Sequence, residues 1–280
     1  MRIRRSAPVA VAVVAALVLA GCHERPENRL HPSYREPNIN GYVYRLWFDD
    51  GSVESDKDFE VVDNQGLRMV PVVDLNGYPV EVYSYGATAY LYGDQNYVPP
   101  LVRCELGVHH YWGDAFAHAT VPGDFRITGP GDQYIMGMES TLVITWRRAE
   151  AAQWYWMAFS ASYDYLDSTG EWDSWDFRID SLILDTFLVI PPERMFPGFV
   201  AQVTEGDAIA DVWSGNGPSV EPGDNGNVRG AGYGFFNAIN EPPDKYFYIG
   251  SPPAFRRSPT RAEQRLRFLD RLRARSAAPR

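Results

Sequence analysis

The chain has 280 residues, a formal net charge of −10, 45 residues that are Gly or Pro, 14 % aromatic residues and 2 cysteines. That length accommodates two domains of ordinary size, and the lack of a long 3.6-residue apolar pattern before residue 258 excludes an all-helical protein. Two cysteines exclude a disulfide-stapled scaffold, and an acidic body is a poor partner for nucleic acid because its field repels phosphate.

Residues 1–21 open with Arg2, Arg4 and Arg5 and continue as an apolar run from Ala7 to Ala20 broken only by Pro8. This is the pattern of a signal peptide, and the run falls short of the roughly 20 residues that span a bilayer as a helix. The segment closes on Leu19-Ala20-Gly21-Cys22, which resembles the lipobox of bacterial lipoproteins. The resemblance implies that Cys22 becomes the N-terminus and carries acyl chains, each buried CH₂ contributing about 0.8 kcal/mol to membrane attachment. His23 rather than Asp follows it, which within that family favours the outer membrane of the bacterial cell envelope. Residues 22–40 carry Pro26, Pro32 and Pro37 and little to bury, as expected of a flexible tether.

Residues 41–129 contain strand candidates at Tyr42–Phe48, Phe59–Val62, Arg68–Leu75, Val80–Ser84, Thr88–Tyr92, Leu101–Gly107 and Ala115–Val121. Asp49-Asp50-Gly51 and Asn76-Gly77 supply turn chemistry, the latter for a two-residue hairpin. Seven short strands at this spacing predict an immunoglobulin-like β-sandwich. In residues 130–255, Leu142, Ile144 and Trp146 share one side of an extended chain, as do Tyr155, Met157, Phe159 and Ala161. The pattern L-x-I-x-W, a polar turn, then A-x-x-Y-x-M-x-F resembles strands B and C of a fibronectin type III domain. A hairpin over Asp164–Asp180, a strand over Ser181–Ile190, a break at Pro191-Pro192, a strand over Phe199–Glu205, a turn-rich passage from Gly206 to Gly232 and a closing strand Tyr246–Gly250 complete the expected unit. The expected fold class is therefore all-β: two tandem antiparallel β-sandwiches, immunoglobulin-like then fibronectin type III-like, followed by a basic helix. The glycine-rich Gly226–Phe236 segment is also similar to one in uncharacterised bacterial outer-membrane lipoproteins that combine such domains. That resemblance implies a surface role beside outer-membrane uptake proteins and supplies no catalytic residue.

Residues 256–280 hold nine Arg against Glu263 and Asp270. Removing this +7 and the +3 of residues 1–21 from the total leaves −20 for residues 22–255. Thr260-x-x-Glu263 matches a capping box, and Ala262, Leu266, Leu269 and Leu272 form a narrow apolar stripe flanked by Arg265, Arg267, Arg271, Arg273 and Arg275. A helix here suits the acidic body, a partner or an anionic membrane surface; a disordered tail is the remaining alternative.

Chemical motifs are sparse. The Gly223–Gly234 run lacks the Lys-Ser/Thr of a phosphate loop and is better explained by positive-φ bends with Phe235 or Phe236 plugged into the core. Cys104, His109, His110 and His118 follow no metal-binding spacing. Asp49, Asp50, Asp56 and Asp58, or Asp164, Asp167, Asp173 and Asp176, lack the spacing of a calcium loop. We therefore expect no metal and no cofactor. Neither G-x-S-x-G nor S-x-x-K occurs. Trp154 and Trp156 alternate outward from Tyr155 and Met157, with Tyr163, Tyr165, Trp172 and Trp175 on the adjoining hairpin. These six aromatics are the candidate binding residues for a glycan or an outer-membrane protein, unless the basic tail or the first unit covers them. The expectation is a surface-anchored, non-catalytic binding or accessory module. The alternative is an extracellular polymer hydrolase using a carboxylate pair.

Overall fold

The computed structural model describes residues 36–62, 71–80, 83–85, 88–90, 98–131, 134–219 and 226–250. The expected signal peptide, Cys22, most of the tether and the basic segment 256–280 with Arg265, Arg267, Arg271, Arg273 and Arg275 lie outside them. The first strands are β1 (Asn38–Trp47), β2 (Val53–Val62), β3 (Val72–Leu75), β4 (Tyr78–Val80), β5 (Tyr83–Tyr85), β6 (Thr88–Tyr90), β7 (Arg103–His110) and β8 (Gly113–Thr120). Then come β9 (Ile127–Gly129), β10 (Ile135–Met136), β11 (Leu142–Trp146), β12 (Trp154–Asp167), β13 (Trp172–Ile183) and β14 (Phe187–Ile190). A single turn of helix, α1 (Pro192–Met195), precedes β15 (Val200–Asn216), β16 (Arg229–Gly230), β17 (Tyr233–Glu241) and β18 (Lys245–Gly250). The protein is all-β and mainly antiparallel, with two parallel pairs, β1 with β17 and β10 with β18.

One eight-stranded main sheet runs β10-β18-β15-β17-β1-β2, with β12 on the other edge of β15 and β13 beyond β12. On one face of it lie, side by side, a five-stranded sheet ordered β16-β8-β7-β3-β4 and a three-stranded sheet ordered β14-β11-β9. Ile39, Val43, Phe59, Val61, Phe236 and Ala238 pack against Val73, Leu106, Val108, Ala117 and Val121 of the five-stranded sheet. Tyr155, Met157, Phe159, Ala210 and Val212 pack against Leu142, Ile144, Trp146 and Ile190 of the three-stranded sheet. Two apolar cores thus share one continuous layer, and β17, expected with the second unit, is hydrogen-bonded to β1 of the first.

The seam between the cores is polar. Residues 121–126 cross it, and Asp124 receives both terminal nitrogens of Arg45, which is 3 % exposed. Asn240 accepts from Arg45 at 3.2 Å and donates to the Pro122 carbonyl and to Asp124, each at 3.0 Å. A buried guanidinium is tolerated only when its charge is neutralised and its terminal nitrogens find acceptors in this way.

Several local expectations hold for stated reasons. Asn76 and Gly77 both take positive φ, 55° and 76°, as a two-residue hairpin loop of this hand requires, and Leu75 pairs with Tyr78 across it. Phe236 is fully buried, and Gly234, at φ 132°, lies where a Cβ would stand 1.9 Å from the Ile39 carbonyl oxygen.

Other expectations are corrected. Gly206–Asn216, read as turn-rich, belongs to the 17-residue β15: Ala208, Ala210 and Val212 alternate into the core with Asp207, Ile209 and Asp211 on the other face. Tyr233–Glu241 is a strand for the same reason, its glycine-rich start having masked the alternation. Ser181–Ile190 is interrupted, β13 ending at Ile183 and β14 starting at Phe187. β2 begins at Val53, ahead of the expected Phe59, because its polar half is an edge strand free of the demand for apolar alternation.

Cys104 is a free thiol, fully buried on β7, and burial pushes its pKa up to about 11. An alkylating reagent at pH 8 should leave it unmodified in the folded protein and label it fully in denaturant, as read by intact mass. Labelling of the native protein at the rate of a free thiol would contradict this.

Candidate functional site

The six candidate aromatics do not form an exposed platform. Trp154 is 2 % exposed; its indole N–H donates to the Gly217 carbonyl at 2.8 Å, and its ring lies where any Cβ on Gly215 would come within 2.1 Å. Trp156 is half-buried opposite Trp213. The expected outward face of β12 thus carries a buried and a half-buried ring, flanked within the sheet by side chains of β15, β17 and β1. Trp154 and Trp156 therefore join Tyr44, Leu46, Phe48, Trp213 and Ile239 in a third apolar cluster. Tyr163 and Tyr165 are also corrected: the period-two pattern that turns Tyr155 inward continues through both. Tyr163 is 2 % exposed and donates to the Met195 carbonyl at 2.7 Å, and burial raises its pKa. Tyr165 is buried beside Phe199. Trp175 is half-buried against the same Phe199. Trp172 alone of the six is exposed, at 60 %.

The acid groups weighed from sequence stay apart. Asp50 and Asp167 each cap their own turns, and Asp56 and Asp58 lie along β2. Instead, Asp211, Glu241 and Asp244 converge, with carboxylate oxygens all within 4.8 Å of one another. The cause is a fork. Along one edge β15 pairs with β18 over residues 206–210 and with β17 over 214–216. The link between β17 and β18 contains Pro242-Pro243, which has no N–H to offer a ladder. Asp211 faces the gap and Glu241 and Asp244 flank those prolines. No sequence spacing connects residue 211 with 241.

Glu241 is 5 % exposed. Burial first, then the charge of Asp244, raises its pKa well above the ordinary carboxylate value. A raised folded-state pKa contributes stability that is complete below the unfolded value and is lost as pH rises through the folded one. Asp211 and Asp244 face this carboxyl, and Lys245 follows in sequence, while Arg45 projects from the opposite face of β1. Glu241→Gln should therefore raise the thermal midpoint by several degrees at pH 8, with the gain vanishing near pH 4, measured by differential scanning calorimetry. A midpoint lowered at pH 8 would mean that the carboxylate is needed in its charged form.

A second group of polar and aromatic side chains occupies the outer face of the five-stranded sheet. His109 is held by Asp114 at its Nδ1 and Asp74 at its Nε2, each at 2.9 Å, and these two hydrogen bonds raise its pKa. His110 bonds the Ala231 carbonyl at 2.7 Å, and His118 is exposed on β8. The three histidines and Cys104 do not converge. Around His109 lie Val72, 62 % exposed, and Phe116, edge-on at 6.3 Å. Tyr111, 93 % exposed, and Trp112 form the β7–β8 turn with rings 5.9 Å apart. This patch was missed from sequence, where Tyr111-Trp112 falls in the connection between the strand candidates Leu101–Gly107 and Ala115–Val121.

At the seam, a recess of about 470 Å³ is lined by His118, Gln153, Trp154, Asn216, Asn227 and Arg229 among others. Its amides already serve the fold: Asn216 accepts from the Thr120 N–H and donates to the Ala151 carbonyl, and Asn227 bonds Phe236 at both ends. Compared with protein-family models and with curated protein sequences, the chain matches none.

Proposed function

We propose that the protein is a lipid-anchored, non-catalytic binding module of the bacterial cell envelope. In this reading Cys22 carries the anchor in the outer membrane, residues 23–35 form the tether, and the two cores are an immunoglobulin-like and a fibronectin type III-like unit. The observation that carries the binding role is the exposed apolar patch of Val72, Tyr111, Trp112 and Phe116 on one face of the five-stranded sheet. Exposed aromatics gathered around a polar rim mark contact surfaces. Val72 and Phe116 mixed with Tyr111 and Trp112 fit a protein partner of the envelope better than a sugar ring, which favours flat aromatic faces alone. Trp172, remote from this patch in the hairpin of β12 and β13, supplies a further exposed ring.

A photo-crosslinking residue at Tyr111 of the full-length protein in native envelopes tests the reading. One dominant protein adduct, lost in the Trp112→Ala, Phe116→Ala double variant at unchanged thermal stability, is the expected result. No adduct, or one indifferent to the double variant, would remove the patch from consideration. The anchor is tested separately by the mass of the N-terminal peptide, which must show acylated Cys22.

The hydrolase alternative has one observation in its favour, the Asp211, Glu241 and Asp244 group. Its drawback is access: Asp211 and Glu241 are 3 % and 5 % exposed, and a polymer needs an open cleft between the acid and the base.

A further inference from the structure

The second face of the main sheet, opposite the two cores, has a layout that the cross-strand register defines. One row of side chains runs across six strands: Glu54 on β2, Leu46 on β1, Glu241 on β17, Trp213 on β15, Trp156 on β12 and Leu182 on β13. Glu241 falls beside Trp213 because Ser214 pairs with Asn240. The next row contains Asp56, Tyr44, Ile239, Gly215 and Trp154, and Asp58 continues the β2 edge beside Tyr42. Towards the other end of β15, Asp211 and Asp207 project from the same face. The face is therefore an apolar strip with carboxylates along its rim.

Every member of the apolar cluster on this face comes from the main sheet or from Phe48 directly after β1. Yet Trp213 and Ile239 are 0 % exposed and Tyr44 and Trp154 are 2 % exposed. Neighbours within a sheet screen the flanks of a ring but not its outward surface, since side chains stand perpendicular to the pleat. Among the described residues, the five- and three-stranded sheets both pack on the opposite face, and of the remaining strands only the small β5-β6 hairpin comes close to this sheet, at its β2 edge away from Trp154, Trp156 and Trp213.

We propose that residues 256–280 dock across this face as an intramolecular cover, with Ala262, Leu266, Leu269 and Leu272 on the Leu46, Trp156 and Trp213 strip and the flanking arginines against the rim carboxylates. Charge complementarity is the first reason. The segment carries nine Arg against two acids and the rim offers Glu54, Asp56, Asp58, Asp207 and Asp211. Size is the second. A helix over residues 260–274 is roughly 22 Å long, and six strands at about 4.8 Å spacing measure roughly 24 Å across. Reach is the third. β18 ends at Gly250, one residue past the Gly206–Ile249 pair, some eight strand residues from Trp213, or roughly 26 Å. Residues 251–259 extend to about 30 Å. A helix this short is marginal alone, so its apolar stripe needs such a surface.

The test uses the full chain with a photo-crosslinking residue at Leu269, alone and with anionic phosphatidylglycerol vesicles. The expected result is an intramolecular adduct mapping by peptide mass to residues 42–48, 154–158 or 211–215. Its yield should fall severalfold in 1 M salt, where exposed ion pairs are screened, and severalfold in the Asp56→Arg, Asp58→Arg variant. Adducts between two chains, adducts to lipid, no adduct, or an adduct mapping elsewhere would each overturn the proposal. Retention of full yield in both high salt and the double variant would overturn the role given to the carboxylates.

Discussion

Asp124→Ala is expected to destabilise the protein by about 2–4 kcal/mol, and Arg45→Met by roughly 1 kcal/mol, although the two residues form one ion pair. The asymmetry comes from burial. The Arg45 side chain is 4 % exposed and that of Asp124 is 46 % exposed. Removing the carboxylate withdraws the neutralising charge from a guanidinium that water cannot reach. Removing the guanidinium leaves a carboxylate that water already solvates, and Met refills the volume with apolar contacts. The lower bound for Asp124→Ala reflects the solvent screening of its own exposed side. At roughly 2–4 °C per kcal/mol for a domain of this size, calorimetry should place the two midpoints clearly apart. Equal losses, or a larger loss for Arg45→Met, would show that the seam is held by something other than this pair.

Trp154→Ala should cost about 3–5 kcal/mol, the range for deleting a large buried aromatic, and so lower the thermal midpoint by roughly 10 °C. Two features set this size: the ring fills the space over Gly215, where no Cβ fits, and its N–H supplies the Gly217 carbonyl at 2.8 Å. Trp172→Ala should change the midpoint by no more than about 1–2 °C, because an exposed ring away from special features contributes within roughly 0.5 kcal/mol. Comparable shifts for the two variants would mean that Trp154 does not occupy an interior position.

The alternation from Leu142 to Trp146 and from Tyr155 to Ala161 was legible because half-buried strands write their inward face at every second residue, and each of those seven side chains is buried. Carried four residues further, the same rule would have turned Tyr163 and Tyr165 inward as well. Asn76-Gly77 was legible because few residues tolerate two successive positive φ values. Trp154 and Trp156 were not. Their parity was read correctly as opposite to Tyr155, but parity states which face a residue takes and not whether another part of the chain occupies it. The carboxylates of Asp211, Glu241 and Asp244 were equally hidden, since their meeting depends on β15 exchanging β18 for β17 as its neighbour.

By itself, the sequence determined the β-rich character, the turns and the inward residues of each strand, because these depend on φ/ψ preferences and on a two-residue period that acts locally. Only the tertiary structure decided that β1 and β17 join strands of both cores into one layer, that Arg45 meets Asp124 at the seam, and that the tryptophans of β12 are interior. Strand pairing joins segments far apart in the chain through backbone hydrogen bonds that any residue but proline makes, so the partner of an edge is written in no local pattern.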